Sequence, residues 1–232
     1  MNKILLVALL SVVVSCENKK TSSQKVDSSK VYTYDFQSDS INPIDVSAYY
    51  SNEEFKLEKQ LIPINKEEFD KDSADFTNNF ISKPDLLKDR DSLALPYGTI
   101  KFIKRKQRDR DDFTDYRYMG FAPNLDSHLL SIDLYDGSYT LILNDKLYTY
   151  GVVDGEPIFS LDNKNFATFR NDEGHSSSLT LYAISEQSFS FEKFLWSDEH
   201  LIESVFWNSE NKLVISLLAI ESGATTYYKI NI

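Results

Sequence analysis

Hydrophobic and polar positions divide this chain into four regimes. Ile4 to Val14 form an apolar run of 11 residues behind a single basic residue, Lys3. Glu17 to Lys30 are polar apart from one aliphatic residue, so they cannot bury enough surface to offset their ordering entropy and are expected to be a flexible tether. From Val31 to about residue 98 the signals are mixed. Val31-Tyr32-Thr33-Tyr34-Asp35-Phe36 has the β-branched and aromatic character of a strand. Phe55 to Glu58 and Leu61 to Ile64 alternate weakly, and Asn65 to Ile81 reads as helical, with Asn65 as N-cap and Glu67-Glu68 in the first turn. Pro84 and Pro96 interrupt the stretch between this helix and Thr99.

Beyond Thr99 the pattern becomes clearly β. Short β-rich runs are expected at 99–103, 116–121, 129–135, 138–143, 147–152, 166–170, 179–184, 189–196, 202–207, 213–218 and 225–232. Turn chemistry separates many of them. Asp136-Gly137 is the strongest hairpin signal, with Asn144-Asp145, Asp154-Gly155, Asp162-Asn163-Lys164 and Ser222-Gly223 behind it. The expected fold is therefore mainly β, built of short antiparallel strands, with a less regular N-terminal region. The organisation read from these shifts is 1–15, 16–30, 31–98 (irregular, with a helix) and 99–232 (antiparallel β).

Two stretches repeat one design. Phe159-Ser-Leu-Asp-Asn-Lys-Asn-Phe leads through a polar loop to Leu179-Thr-Leu-Tyr-Ala-Ile, and Trp207-Asn-Ser-Glu-Asn-Lys-Leu-Val leads to Thr226-Tyr-Tyr-Lys-Ile. Lys164 and Lys212 stand 48 positions apart, near the length of a four-stranded propeller blade. An aromatic, a polar turn ending in Lys and then a strand resembles the SPDGK blade repeat of bacterial propellers. Leu161 stands where that repeat has proline, and Asn163 and Asn211 where it has glycine. The resemblance covers at most 129–232 and implies a small or incomplete propeller-like stack, since a ring needs about four such blades.

The N-terminal regimes gain meaning from Cys16, the chain's one cysteine. Val13-Val14-Ser15-Cys16 closes the apolar run, which is too short for a membrane-spanning helix of ~20 residues. This basic start, apolar run and small residue before cysteine resemble a bacterial lipoprotein signal, and the whole chain resembles lipoproteins of Bacteroidetes-type bacteria. The resemblance implies cleavage before Cys16, which becomes the lipidated first residue carrying diacylglycerol and an N-acyl chain. Several acyl chains hold a protein on a membrane far more firmly than one. The tether after Cys16 would then reach ~20 Å. Surface-exported relatives of this class carry an acidic cluster behind the cysteine. Glu17-Asn18-Lys19-Lys20 stands here instead, and the expected location is the cell envelope, on the periplasmic face of the outer membrane.

Loss of the first 15 residues leaves 217, with 24 basic and 36 acidic side chains and no cysteine. Disulfides, thiol catalysis and Cys-type zinc sites are excluded. The negative charge disfavours nucleic acid and adsorption to anionic lipid, so the expected membrane contact is the lipid anchor alone.

Chemistry-bearing patterns are sparse. His128, His175 and His200 lack metal-ligand spacing, and the seven glycines form neither GxGxxG nor GxxxxGK[ST]. No GxSxG elbow occurs. Asp109, Asp111, Asp112 and Asp115 lack calcium-loop order and are interleaved with Arg108 and Arg110, as in a solvated hairpin tip. Asp133 and Asp136 are acids of the kind a glycosidase pairs, although among 36 acids some such pair is inevitable. No cofactor or metal is implied. Tyr116, Tyr118, Trp196 and Trp207 are the candidate binding residues, able to stack on sugar rings or a partner surface, with core packing as the alternative. The expected function is a membrane-anchored binding or assembly module for an envelope protein or glycan. The alternatives are an envelope hydrolase acting on glycan or peptide, and a tethered inhibitor or immunity protein.

Overall fold

The computed structural model describes residues 31–34, 47–49, 52–74, 76–78, 92–95, 98–104, 113–134, 137–144, 149–172, 174–186 and 188–230. Cys16, the tether, the acids at 109–112 and the 135–136 connection lie outside them.

Four sheets are present. Sheet I joins β1 (Val31–Tyr34), β4 (Gly98–Phe102) and β3 (Ser92–Leu95) in that order, β1 lying parallel to β4. Sheet II is the meander β5 (Thr114–Ala122), β6 (Ser127–Leu134), β7 (Gly137–Asn144), β8 (Thr149–Asp154). Sheet III repeats it with β9 (Ile158–Phe159), β10 (Asn165–Asp172), β11 (Ser176–Ser185) and β12 (Ser188–Ser197). Sheet IV contains β13 (His200–Trp207), β14 (Leu213–Ala219) and β15 (Thr225–Ile230), and takes its fourth strand, β2 (Leu61–Ile64), from far upstream. Pro63 is tolerated in β2 because this is an edge strand.

The sheets stack in chain order, with one apolar core at each junction. Leu93 and Ile100 of sheet I meet Ile132 and Leu141 of sheet II. Leu129 and Ile142 of sheet II meet Phe159 and Phe166 of sheet III. Leu181 and Leu195 of sheet III meet Trp207 and Ile215 of sheet IV. Sheets II and III are thus covered on both faces, which is why β6 is buried at seven of eight positions instead of alternating. Among the described residues the stack is blade-like but not closed into a ring. No helix among the described residues is long and apolar enough to cross a membrane.

The same turn enters sheets II, III and IV. Asp126, Asn163 and Asn211 each take the left-handed conformation, with φ of 49°, 58° and 57°. Asn and Asp tolerate that region best among non-glycine residues. Each donates its own N–H to a carbonyl three residues back, Asp126 N to Pro123 O, Asn163 N to Ser160 O and Asn211 N to Asn208 O. The sheet III and IV turns also touch, Asp162 N donating to Asn211 Oδ1 at 3.0 Å.

N-terminal segments fasten the stack. Asn65 Oδ1 accepts Glu68 N at 2.8 Å and starts α1 (Lys66–Ala74), as its sequence position predicts. The helix is shorter than the 65–81 expectation. Phe69 packs on Phe206 and Tyr227, and Lys229 Nζ reaches Glu68 at 2.6 Å and Asp72 at 3.2 Å. Asn78 accepts from Phe159 N and donates to Pro157 O, so its amide stands in for a neighbouring strand along β9. The 3-10 turns at Glu53–Phe55 and Leu57–Gln60 lie against β12, where Lys56 bridges to Trp196.

Candidate functional site

The four aromatics expected to bind are held by the protein itself. Tyr116 is buried, its ring centroid 4.9 Å from that of Phe102. Trp207 is 2% exposed, and its indole Nε1 donates to Ile158 O at 2.8 Å. Trp196 is 8% exposed, with Lys56 Nζ 5.4 Å from its ring centroid. Tyr118 is half-buried, its hydroxyl 3.1 Å from Nδ1 of buried His128, and burial pushes its phenol up to about 12. They belong to three different sheets, II, III and IV, and converge on no common stacking surface. Core packing accounts for three of them.

Of the acids, Asp133 accepts the hydroxyls of Ser131 and Ser138, and Asp115 pairs with Lys104 at 2.8 Å. Both are engaged structurally. Among the described residues no group of three or more His, Cys, Asp or Glu could hold a metal ion.

One constellation resembles a hydrolase triad in composition alone. Ser197 donates to Glu58 Oε1, and His200 Nδ1 lies 3.4 Å from both Ser197 Oγ and Glu58 Oε1. Ser197 is fully buried, and its Oγ also accepts the backbone N–H groups of Glu199 and His200. An activated nucleophile must be exposed to substrate and donate to its base. Here the hydroxyl shapes the β12–β13 turn and ties the 57–60 segment to it.

Among the described residues, one feature with room for a ligand is a cleft of about 520 Å³ between sheets II and III, within the usual range for small-molecule sites. Gly137 and Ser138 at the start of β7, Gly155 just past β8, Phe169 to Asp172 at the end of β10, and His175 in the turn before β11 line it. Strand ends fix these positions, so the site is built on rigid backbone.

Arg170 organises the cleft. Its Nε lies 2.8 Å from Asp172 Oδ1, its Nη1 3.7 Å from Asp154 Oδ1, and it hydrogen bonds Tyr139. Burial opposes its charge, but Asp172, Tyr139 and Asp154 outweigh burial and hold its pKa above the ordinary arginine value. The guanidinium packs on Gly137, where an added Cβ would sit 3.5 Å from it. Asn171 anchors the neighbouring edge by donating to Ile202 O and accepting from Ile202 N, which locks sheet III to sheet IV. His175 is exposed, and its backbone N–H donates to Asp172 O at 2.8 Å.

Gly155 allows the close approach that shapes this wall. Its φ is +72°, and a Cβ there would lie 2.5 Å from Phe169 O. Its N–H donates to Ser138 O, and Thr140 Oγ1 donates to its carbonyl at 2.7 Å. Arg170 and Asp172 are residues that sequence reasoning missed as a site. The two turn signals at Gly137 and Gly155 were legible, but their convergence with the end of β10 depends on how two sheets pack.

Comparison of the chain with protein-family models, curated proteins and solved structures finds no match in any of the three.

Proposed function

We propose that this protein is a lipid-anchored lipoprotein of the bacterial cell envelope, tethered through Cys16 on the periplasmic face of the outer membrane, and that its β body is a binding module. The observation that carries the reading is Val13-Val14-Ser15-Cys16 at the end of an 11-residue apolar run, followed at once by a polar stretch. The anchor assigns the membrane contact to lipid, leaving the body for recognition. The cleft between sheets II and III supports a binding role, because it places the Arg170 guanidinium, the Asp172 carboxylate and His175 at the end of β10 and the turn after it. The charged side chains described there are tied to one another as in a preorganised recognition surface, with no buried hydroxyl aimed at a base.

Metabolic labelling with palmitate tests the anchor. The native chain is expected to carry label and partition with membranes, and Cys16→Ser to lose both. Pull-down from native membranes with the lipidated protein then tests binding. Label that persists in Cys16→Ser would refute the anchor, and clean recovery with neither protein nor glycan bound would refute the binding role.

A further inference from the structure

The strand edges of sheets III and IV, and one edge of sheet II, are each closed by a particular device. On β5, Lys104 Nζ donates to Tyr116 O at 3.1 Å. On β9, Asn78 pairs with Phe159 N and Pro157 O, and on β13 Asn171 pairs with both the N–H and the C=O of Ile202. β12 takes a bridge from Lys56, and sheet IV ends in β2 with its Pro63. β8, at the other end of sheet II, has none of these. Its sequence, Thr-Tyr-Gly-Val-Val-Asp, holds neither proline nor lysine, and among the described residues no strand or side chain bonds its far side. The ladder register gives the direction of its groups. Gly155 N–H donates to Ser138 O, so bonded pairs recur at Val153 with Thr140 and at Gly151 with Ile142, and Val152 turns its N–H and C=O away from β7. Both faces of the strand are covered, Val152 by the core toward sheet I, Val153 by the core toward sheet III, and Gly151 by the Phe189 ring. What β8 offers is a backbone edge, which an antiparallel strand can extend.

Charge and area select the occupant. The chain has a formal net charge of −11, so two copies repel over most of their surface. Along β8 the one charge is Asp154, and Arg170 Nη1 lies 3.7 Å from it. A second copy can therefore approach along this edge without like charges meeting. A six-residue edge falls well short of the ~1,200 Å² that a stable interface between freely diffusing proteins needs. A partner held on the same membrane needs far less, because shared confinement raises its effective concentration. Another copy of this chain, on its own tether, is such a partner. Antiparallel self-pairing also closes on itself: a two-fold axis at Val152 sets that residue against its copy, exchanging two backbone bonds, with Tyr150 opposite Asp154 on either side. We propose that membrane-tethered copies pair edge to edge through β8, joining two four-stranded sheets II into one continuous sheet. The proposal rests on the anchor reading, which supplies the confinement.

The test holds the mature chain, with Cys16→Ser and an N-terminal oligohistidine segment, on vesicles of nickel-chelating lipid. Pairing is then read whether or not Cys16 is lipidated in the cell, and palmitate labelling judges the anchor separately. Val152→Cys leaves one thiol per chain, and two-fold pairing sets the two Cα atoms ~5.5 Å apart, within disulfide reach. Mild oxidation on vesicles is expected to link Val152→Cys copies about tenfold faster or more than Ile220→Cys copies, since a fixed geometry outruns random collision. Ile220 is the fair control, being 38% exposed on the turn after β14 of sheet IV. With every body side chain native, amide exchange in 149–154 should slow when the chain moves from solution to the vesicle surface, which keeps the test open if Val152→Cys fails to fold. Equal linking rates for the two thiols, or unchanged exchange in 149–154, would overturn the pairing. Slowing that appears only when membrane extract is added would overturn the second copy in favour of a foreign strand on the same edge.

Discussion

Three glycines on sheets II and III separate the two ways in which a methyl group can be refused. Gly174 has φ +81° with nothing within 4 Å of an added Cβ, so alanine there meets only the left-handed backbone, about 1–2 kcal/mol. Gly151 carries no such φ, but its Cβ would fall 2.5 Å from the tip of the Phe189 ring. That ring is edge-on to both Phe166 and Tyr182, so it yields only by disturbing an aromatic cluster, a typical overpacking cost of about 1–3 kcal/mol. Gly155 combines both penalties, φ +72° and a Cβ 2.5 Å from Phe169 O, and this obstacle is backbone. Gly155→Ala should therefore cost about 3 kcal/mol or more, the two effects together. Domains of this size have stabilities of about 5–15 kcal/mol, so all three variants should fold and be measurable. Urea denaturation with an unchanged m-value reads the differences directly. The expected order of loss is Gly174→Ala, then Gly151→Ala, then Gly155→Ala. If Gly155→Ala proves no more costly than Gly174→Ala, then the backbone of β8 does not press on β10 as described, and the wall of the cleft is misplaced.

Trp207→Phe removes the donor to Ile158 O at a site where both residues are buried, and should cost about 1–3 kcal/mol in urea beyond the lost ring contacts; an unchanged midpoint would count against the indole bond. At high pH, Tyr118 stays protonated in the folded chain to about 12, and Tyr182 is also raised, mainly by burial and then by Asp154. Unfolded phenols ionise near ~10, so the unfolded state loses protons first, and stability that is full below ~10 falls as pH rises toward about 12. Urea midpoints across that range should drop, and Tyr118→Phe with Tyr182→Phe should flatten the drop; equal slopes would refute it. Lys229→Met leaves Glu68 and Asp72 without the ammonium between them, and should speed amide exchange in Lys66–Ala74 about tenfold while β10 and β11 keep their protection. Uniform loss across the chain would show that α1 is not docked as a separate fastener.

Every β run expected beyond Thr99 has its strand, because alternation and turn residues are local signals. The Asp136-Gly137 hairpin exists, but its register sets Leu134 opposite Gly137, so the two-residue connection is 135–136 and Gly137 opens β7. Asn163 and Asn211 fill the left-handed positions where the blade pattern has glycine. The third copy of that turn, Pro123-Asn124-Leu125-Asp126, went unread in the sequence: it carries its own proline, but its spacing from Asn163 departs from that of the other pair. Long-range pairing lies beyond the reach of local pattern. β9 has two residues, too few to show a period, and its neighbouring strand is mimicked by Asn78. The cleft was illegible for the same reason. Its residues lie on three hairpins, and Arg170, Asp172 and His175 look like ordinary strand-end polar residues until sheets II and III are packed.

The division of labour among the sheets comes from how each is assembled. Sheets II and III are consecutive meanders whose pairings are all between neighbours in sequence, so their loop-closure cost is small. Sheets I and IV each need a strand from upstream: β1 beside β4, and β2 beside β15 at the far end of the chain. An open stack leaves its end sheets and edges exposed to pairing with other chains. The N-terminal segments lie on those vulnerable places, with β2 on sheet IV, residues 57–60 along β12 and α1 against β15. The cleft lies where none of these is needed, between the two locally built sheets. Its Arg170 and Asp172 are placed by β10, and Gly155 by the end of β8, both elements of sequence-local hairpins. The cleft is therefore formed by the part of the fold least dependent on how the N-terminal segments are seated.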